Sequence, residues 1–146
     1  MLKIGIGSDH GGVEHKAYLK EELEKQGYTV IDYGTQTGIP ADYPDVANTV
    51  CSAYLNGEFD LGILICGTGI GMSISANKIH GIRAAHVTDC FSARMAREHN
   101  HAQFLCLGQR ITGNALALEI ANAFLNAQPQ EGRHAMRVEK IMKLES

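Results

Sequence analysis

The sequence predicts an α/β fold on a five-stranded parallel sheet, and three observations carry that expectation. Short β-rich runs alternate with longer helical patterns from end to end, the signature of repeated βα units. Sixteen glycines stand against three prolines, unevenly spread, which is more backbone freedom than a helical bundle uses. The 146 residues, 45% hydrophobic and 20% charged, suit one compact domain over residues 1–146 that buries roughly 68–70% of its unfolded surface.

The elements follow in order. Leu2 to Ser8 reads as the first strand, and Val13 to Gln26 as a helix whose Val13, Ala17, Leu19 and Leu23 form an apolar stripe stopped by Gly27. Thr29 to Tyr33 is the second strand. A polar loop from Gly34 to Pro44 leads to a helix over Val46, Ala47, Val50, Ala53 and Tyr54 that stops near Gly57. Leu61 to Cys66 is the clearest strand, and Gly67 to Gly71 forms a tight turn into a short helix through Ile74 and Ala76. Ile82 to Val87 is the fourth strand, and Thr88 or Asp89 caps a helix running to Glu98. Phe104 to Leu107 is the fifth strand. Helices over Asn114 to Asn126 and Arg133 to Leu144 complete the chain.

A formal net charge of −3 offers no global attraction for nucleic acid or an anionic membrane. The start of the chain turns polar at Ser8, Asp9 and His10, unlike a secretory signal, and Leu61 to Cys66 is far shorter than the roughly 20 residues of a membrane span. Cys51, Cys66, Cys90 and Cys106 form no C-x-x-C pair, which argues against a zinc ribbon or a thioredoxin-type motif and for reduced thiols in a cytoplasmic protein.

In an open parallel sheet, ligands sit outside the carboxyl ends of the strands. Strand one ends in Ser8 to Gly12, strand three in Cys66 to Gly71 and strand four near Thr88 and Asp89, with His99 and Asn100 just before strand five. Acid, base, thiol and amide groups are therefore expected to converge on one sheet edge. The turn at Cys66 is the most specific feature. Gly67, Gly69 and Gly71 let successive amides face an anion at a helix start. Met72 breaks both G-x-G-x-x-G and the C-x5-R of cysteine phosphatases, and no P-loop is present. Cys66 then reads as a poised thiolate beside the Thr68 hydroxyl, or as a small buried hydrophobe. Asp9 and His10 read as a reactive pair or as a simple cap. His99 and His101 have H-x-H spacing, yet too few further ligands accompany them for a metal site, and a proton shuttle suits His99 better. Arg133 and Arg137 share one helix face and form either a phosphate clamp or a solvated face. Arg94 and Arg97 read as exposed, while Arg83 and Arg110 are hard to place from spacing.

Ordered blocks along nearly the whole chain then carry a resemblance: SDHGG at 8 to 12, YPD at 43 to 45, GILICGTGIGMSISANKIHGIRAA at 62 to 85, SARMAREHN at 92 to 100, LGQR at 107 to 110 and GRHAMRVEKI at 132 to 141. The sequence resembles the ribose-5-phosphate isomerase B group, with allose-6-phosphate and galactose-6-phosphate isomerases as close relatives. The resemblance implies a Rossmann-like three-layer sandwich, paired into a homodimer with shared active sites and a C-terminal helix reaching the partner. It implies Cys66 as the base moving a proton between C1 and C2, with Thr68 and the amides of Gly67, Gly69, Ile70 and Gly71 around the enediolate. Asp9 and the partner's His99 would open the sugar ring. His10, Arg133 and Arg137, with Arg110 as a weaker candidate, would hold phosphate, and Tyr43 and Asn100 would touch the sugar. No metal or cofactor is implied. The implied reaction is ribose 5-phosphate to ribulose 5-phosphate, with a 6-phosphate hexose or a noncatalytic sugar-phosphate-binding role as alternatives.

Overall fold

The computed structural model describes residues 1–35 and 40–145. Its strands are β1 (Lys3–Ser8), β2 (Thr29–Asp32), β3 (Leu61–Cys66), β4 (Ala84–His86) and β5 (Phe104–Gly108). Its helices are α1 (Val13–Lys25), α2 (Tyr43–Leu55), α3 (Ile70–Asn77), α4 (Cys90–Glu98), α5 (Asn114–Asn126) and α6 (Arg133–Lys143). All strand pairs are parallel, in the order β2-β1-β3-β5-β4.

Alternation along the strands divides the interior into two layers, because successive side chains leave a strand on opposite faces. Ile63 and Ile65 of β3 join Ile4, Ile6, Leu105 and Leu107 beneath α1, α4 and α5. Leu64 and Cys66 point the other way, into the layer of Val46, Val50, Cys51, Met72 and Phe104 under α2 and α3. All six residues of β3 are buried, as expected of a central strand covered by helices on both faces. The sequence-predicted α/β sandwich is the observed architecture.

Boundaries differ in informative places. The α2 helix begins at Tyr43, so Pro44, expected in the loop, lies in its first turn, where the missing N–H costs no hydrogen bond. The part of that loop at residues 36–39 lies outside the described residues. Strand β4 is only three residues long, because the Ile82 amide instead bonds the Ile79 carbonyl and Arg83 is held by the Gln103 side chain. Of the two capping candidates for α4, Asp89 is the cap: its Oδ1 accepts from the Ser92 amide at 2.7 Å, and that bond holds the carboxyl below its ordinary range. Arg97 corrects the expectation of an exposed face. It is half-buried, with its guanidinium 5.8 Å from the Phe124 ring centroid and Nη1 donating to the Ala102 carbonyl at 2.8 Å. Among the described residues no helix is long and apolar enough to cross a membrane.

Candidate active site

Strand order creates the site. From β1 the chain moves outward through α1 to β2, whereas from β3 it crosses over β5 to reach β4. Connections thus leave β1 and β3 in opposite directions, and the crevice between such strands opens at their carboxyl ends. An open cleft of about 450 Å³ lies there, lined by Asp9, His10 and Gly11 after β1, Cys66, Gly67, Thr68, Ile70 and Gly71 after β3, Arg110 after β5, and Tyr43 and Ile74.

The β3–α3 turn is shaped around the thiol. Gly69 sits in the left-handed region at φ 84°, and a Cβ there would lie 2.9 Å from the Leu107 carbonyl carbon. The backbone reversal that glycine permits aims the Gly69 N–H at Cys66 Sγ, 3.1 Å away. The next amide, Ile70 N–H, donates to Thr68 Oγ1 at 3.2 Å. Because that bond uses an acceptor site on Thr68, the hydroxyl keeps its proton available for donation. Two of the amides expected to face an anion are therefore directed at the thiol and the hydroxyl; Gly71, next along, belongs to the opening turn of α3, whose N–H groups have no intrahelical acceptor. Gly71 also admits Tyr43: a Cβ would come within 2.5 Å of the tyrosine ring.

Across the cleft, Asp9 is only 7% exposed and its Oδ1 accepts from the Gly11 amide at 2.9 Å. The same carboxylate both starts the 3-10 turn at His10–Gly12 and lines the cleft. His10 Nδ1 lies 3.1 Å from the Ala41 carbonyl, so that nitrogen carries the hydrogen. Arg110 is bound through its backbone N–H to the Gly67 carbonyl at 2.9 Å, and its side chain passes 3.6 Å from where a Gly67 Cβ would stand. Its place, which spacing left open, follows from lying two residues beyond β5 at the carboxyl edge. Ile74, read from sequence only as part of a short helix, also lines the cleft and is 57% exposed.

Besides Gly69, whose amide is turned to the thiol, four candidates are not brought to this cleft. His99, Asn100, Arg133 and Arg137 are absent from its lining, which corrects the expectation of convergence on one edge within a single chain. His99 and Asn100 precede β5, and residues that precede a strand of a parallel sheet stand at its amino edge. Arg83 marks the spot: its Nε donates to the Asn100 carbonyl at 3.1 Å and it precedes β4. Arg133 and Arg137 belong to the first turns of α6, where His134 stacks on His99 with ring centroids 4.0 Å apart. His134 is held below the ordinary imidazole value by desolvation, then by His99, Arg133, Arg137 and His101. The molecule thus carries two half-assemblies: a thiol–carboxylate cleft at one sheet edge and an imidazole–guanidinium cluster at the other.

Other features carry less chemistry. A groove of about 710 Å³ runs along α1, but Lys16 pairs with Asp32 at 2.7 Å, Lys20 with Glu24 at 3.0 Å and Lys25 with Glu22 at 3.3 Å. Among the described residues no group of three or more His, Cys, Asp or Glu could hold a metal ion. All four cysteines are free.

Known proteins share the sequence pattern and the fold. The sequence pattern of the ribose/galactose isomerase family matches residues 4–141. The D-erythrulose-4-phosphate isomerase of Pectobacterium atrosepticum is 47% identical over 142 residues, 97% of this chain and 93% of the relative. The ribose-5-phosphate isomerase B of Clostridium thermocellum superposes with a TM-score of 0.96 at 54% identity, covering 98% of this chain and 97% of that one. The Mycoplasma genitalium ribose-5-phosphate isomerase B, whose structure holds ribulose-5-phosphate, superposes with a TM-score of 0.91 at 39% identity, covering 98% and 95%. A family match over almost the whole length, with the thiol cleft at its sheet edge, makes this chain a member of the ribose/galactose isomerase family and a sugar-phosphate isomerase.

Proposed function

We propose that the protein interconverts ribose 5-phosphate and ribulose 5-phosphate through an enediolate, without a metal. The observation that carries this is Cys66 Sγ, which accepts the Gly69 N–H at 3.1 Å in a cleft also lined by Thr68, Asp9, His10 and Arg110. Cys66 as thiolate removes the proton from C2 of the open aldose and returns it to C1. Charge that develops on the enediolate oxygens is met by the Thr68 hydroxyl, which accepts from Ile70 N–H, and by the Gly71 amide in the opening turn of α3, donors already fixed before reaction. Tyr43 flanks the sugar. The ribulose-5-phosphate held by the M. genitalium relative supports this choice of substrate.

The reading includes a homodimer. His99 and Asn100 of the partner subunit complete the cleft, His99 opening the furanose with Asp9, while Arg133 and Arg137 join His10 and Arg110 on the phosphate. Support comes from α6, whose Met136, Ile141 and Leu144 stay 61%, 40% and 83% exposed in the isolated chain, and from the cationic start of that helix, which an anion would relieve.

Cys66→Ala, folded as judged by circular dichroism, is expected to abolish solvent-deuterium exchange at C1 of ribulose 5-phosphate. Retained exchange removes Cys66 as the base, and a wild-type protein that binds ribose 5-phosphate without converting it establishes the binding-module alternative. A second substrate reading rests on the 47% identical D-erythrulose-4-phosphate isomerase and on the galactose branch of the family. Comparing kcat/KM for ribose 5-phosphate, D-erythrulose 4-phosphate, allose 6-phosphate and galactose 6-phosphate decides it.

A further inference from the structure

His99 occupies the C-cap of α4. A working histidine usually has its plane and tautomer set by a hydrogen bond to one ring nitrogen. Among the described residues the His99 ring has no such partner. What it has is a parallel ring, that of His134 on α6, 4.0 Å between centroids and inclined by 4°. A face-to-face contact restrains the ring plane while leaving both edge nitrogens of His99 free for chemistry.

We propose that His134 is the positioning residue for His99, holding its plane through the stack. The inference rests on the reading of His99 as the group that acts on the sugar ring oxygen. The charged and titratable groups around the pair are Arg133 and Arg137 on α6, with His101 in the loop after α4. Desolvation first, then these neighbours, hold His134 below the ordinary imidazole value. His101 Nε2 lies 2.7 Å from the Gln130 carbonyl, a contact that ties the loop after α4 to the segment before α6.

The test separates ring opening from proton transfer. Ribulose 5-phosphate has no free hydroxyl on C5 and cannot close to a furanose, so deuterium exchange at its C1 reads proton transfer alone. Conversion of ribose 5-phosphate requires ring opening as well. His134→Ala is expected to lose at least about tenfold more in kcat/KM for ribose 5-phosphate than in ketose exchange, a gap that a merely structural residue would not produce. His134→Phe keeps a flat ring without a titrating nitrogen. It is expected to recover most of the loss in aldose conversion, because the flat ring restores the stack on His99. Equal losses in both reactions, no loss at all, or no recovery in His134→Phe would overturn the proposal. His99→Ala runs in parallel. If it discriminates between the two reactions and His134→Ala does not, the positioning role alone falls; if His99→Ala does not discriminate, or the wild type converts neither compound, the reading of His99 falls and the positioning role with it.

Discussion

Four thiols in this chain meet four environments, and the differences follow from what surrounds each sulfur. Burial pushes the Cys51 thiol up to about 12. Cys106 is raised well above its ordinary value by burial first, then by Cys51 and Cys66 nearby. Cys90 is half-buried at the start of α4. Cys66 alone ends a strand beside a cleft and accepts a backbone N–H. Iodoacetamide at pH 8 is therefore expected to leave Cys51 and Cys106 unmodified in the native protein, since the thiolate is the reactive form. Peptide mass spectrometry should find both labelled only after denaturation, and native labelling of either would contradict the assigned burial. Composition could not rank these cysteines. The glycine pattern after Cys66 was legible as a turn, but that the Gly69 amide points at sulfur and the Ile70 amide at Thr68 depends on torsion angles that the residue types permit without dictating.

At the scale of the element, the unit that matters is β3, its turn and α3. Glycines at 57 and 69 both have positive φ, 80° and 84°, yet only Gly69 is enclosed: a Cβ at Gly57 would meet nothing within 4 Å. Gly69→Val is expected to lower kcat by about 10²-fold or more, the scale of removing a preorganised donor, because the turn must open to admit the side chain. Gly57→Ala strains one exposed helix end and should leave turnover near wild type with a small drop in melting temperature. Comparable activity losses would reduce Gly69 to ordinary turn chemistry. The apolar alternation made β3 and its neighbours readable, whereas β4 was overestimated because its flanking Ile82 and Val87 are apolar for reasons of burial, not pairing. Proline 44 misled in the other direction. A proline in a first helical turn and a proline in a loop look alike until the backbone is traced.

For the whole molecule, the separation of the thiol cleft from the imidazole–guanidinium cluster makes assembly the central prediction. The double substitution Met136→Glu with Ile141→Glu places charge on exposed apolar positions of α6 and should convert a dimer to monomers in light scattering. If the cleft is completed by a second copy, turnover of ribose 5-phosphate falls about 10²-fold with it, the usual consequence of misplacing a catalytic group. Monomers with undiminished turnover would show that each chain carries a complete site. The sequence by itself determined the layered α/β plan, the strand that ends in Cys66 and the glycine turn beyond it, since hydrophobic period and backbone permissiveness are properties of neighbouring residues. Only the tertiary structure decided which strand ends meet. Strand order placed β1 beside β3 to form the cleft and brought Arg110 into it from β5. Those outcomes depend on contacts between residues far apart in the chain, which no local pattern encodes.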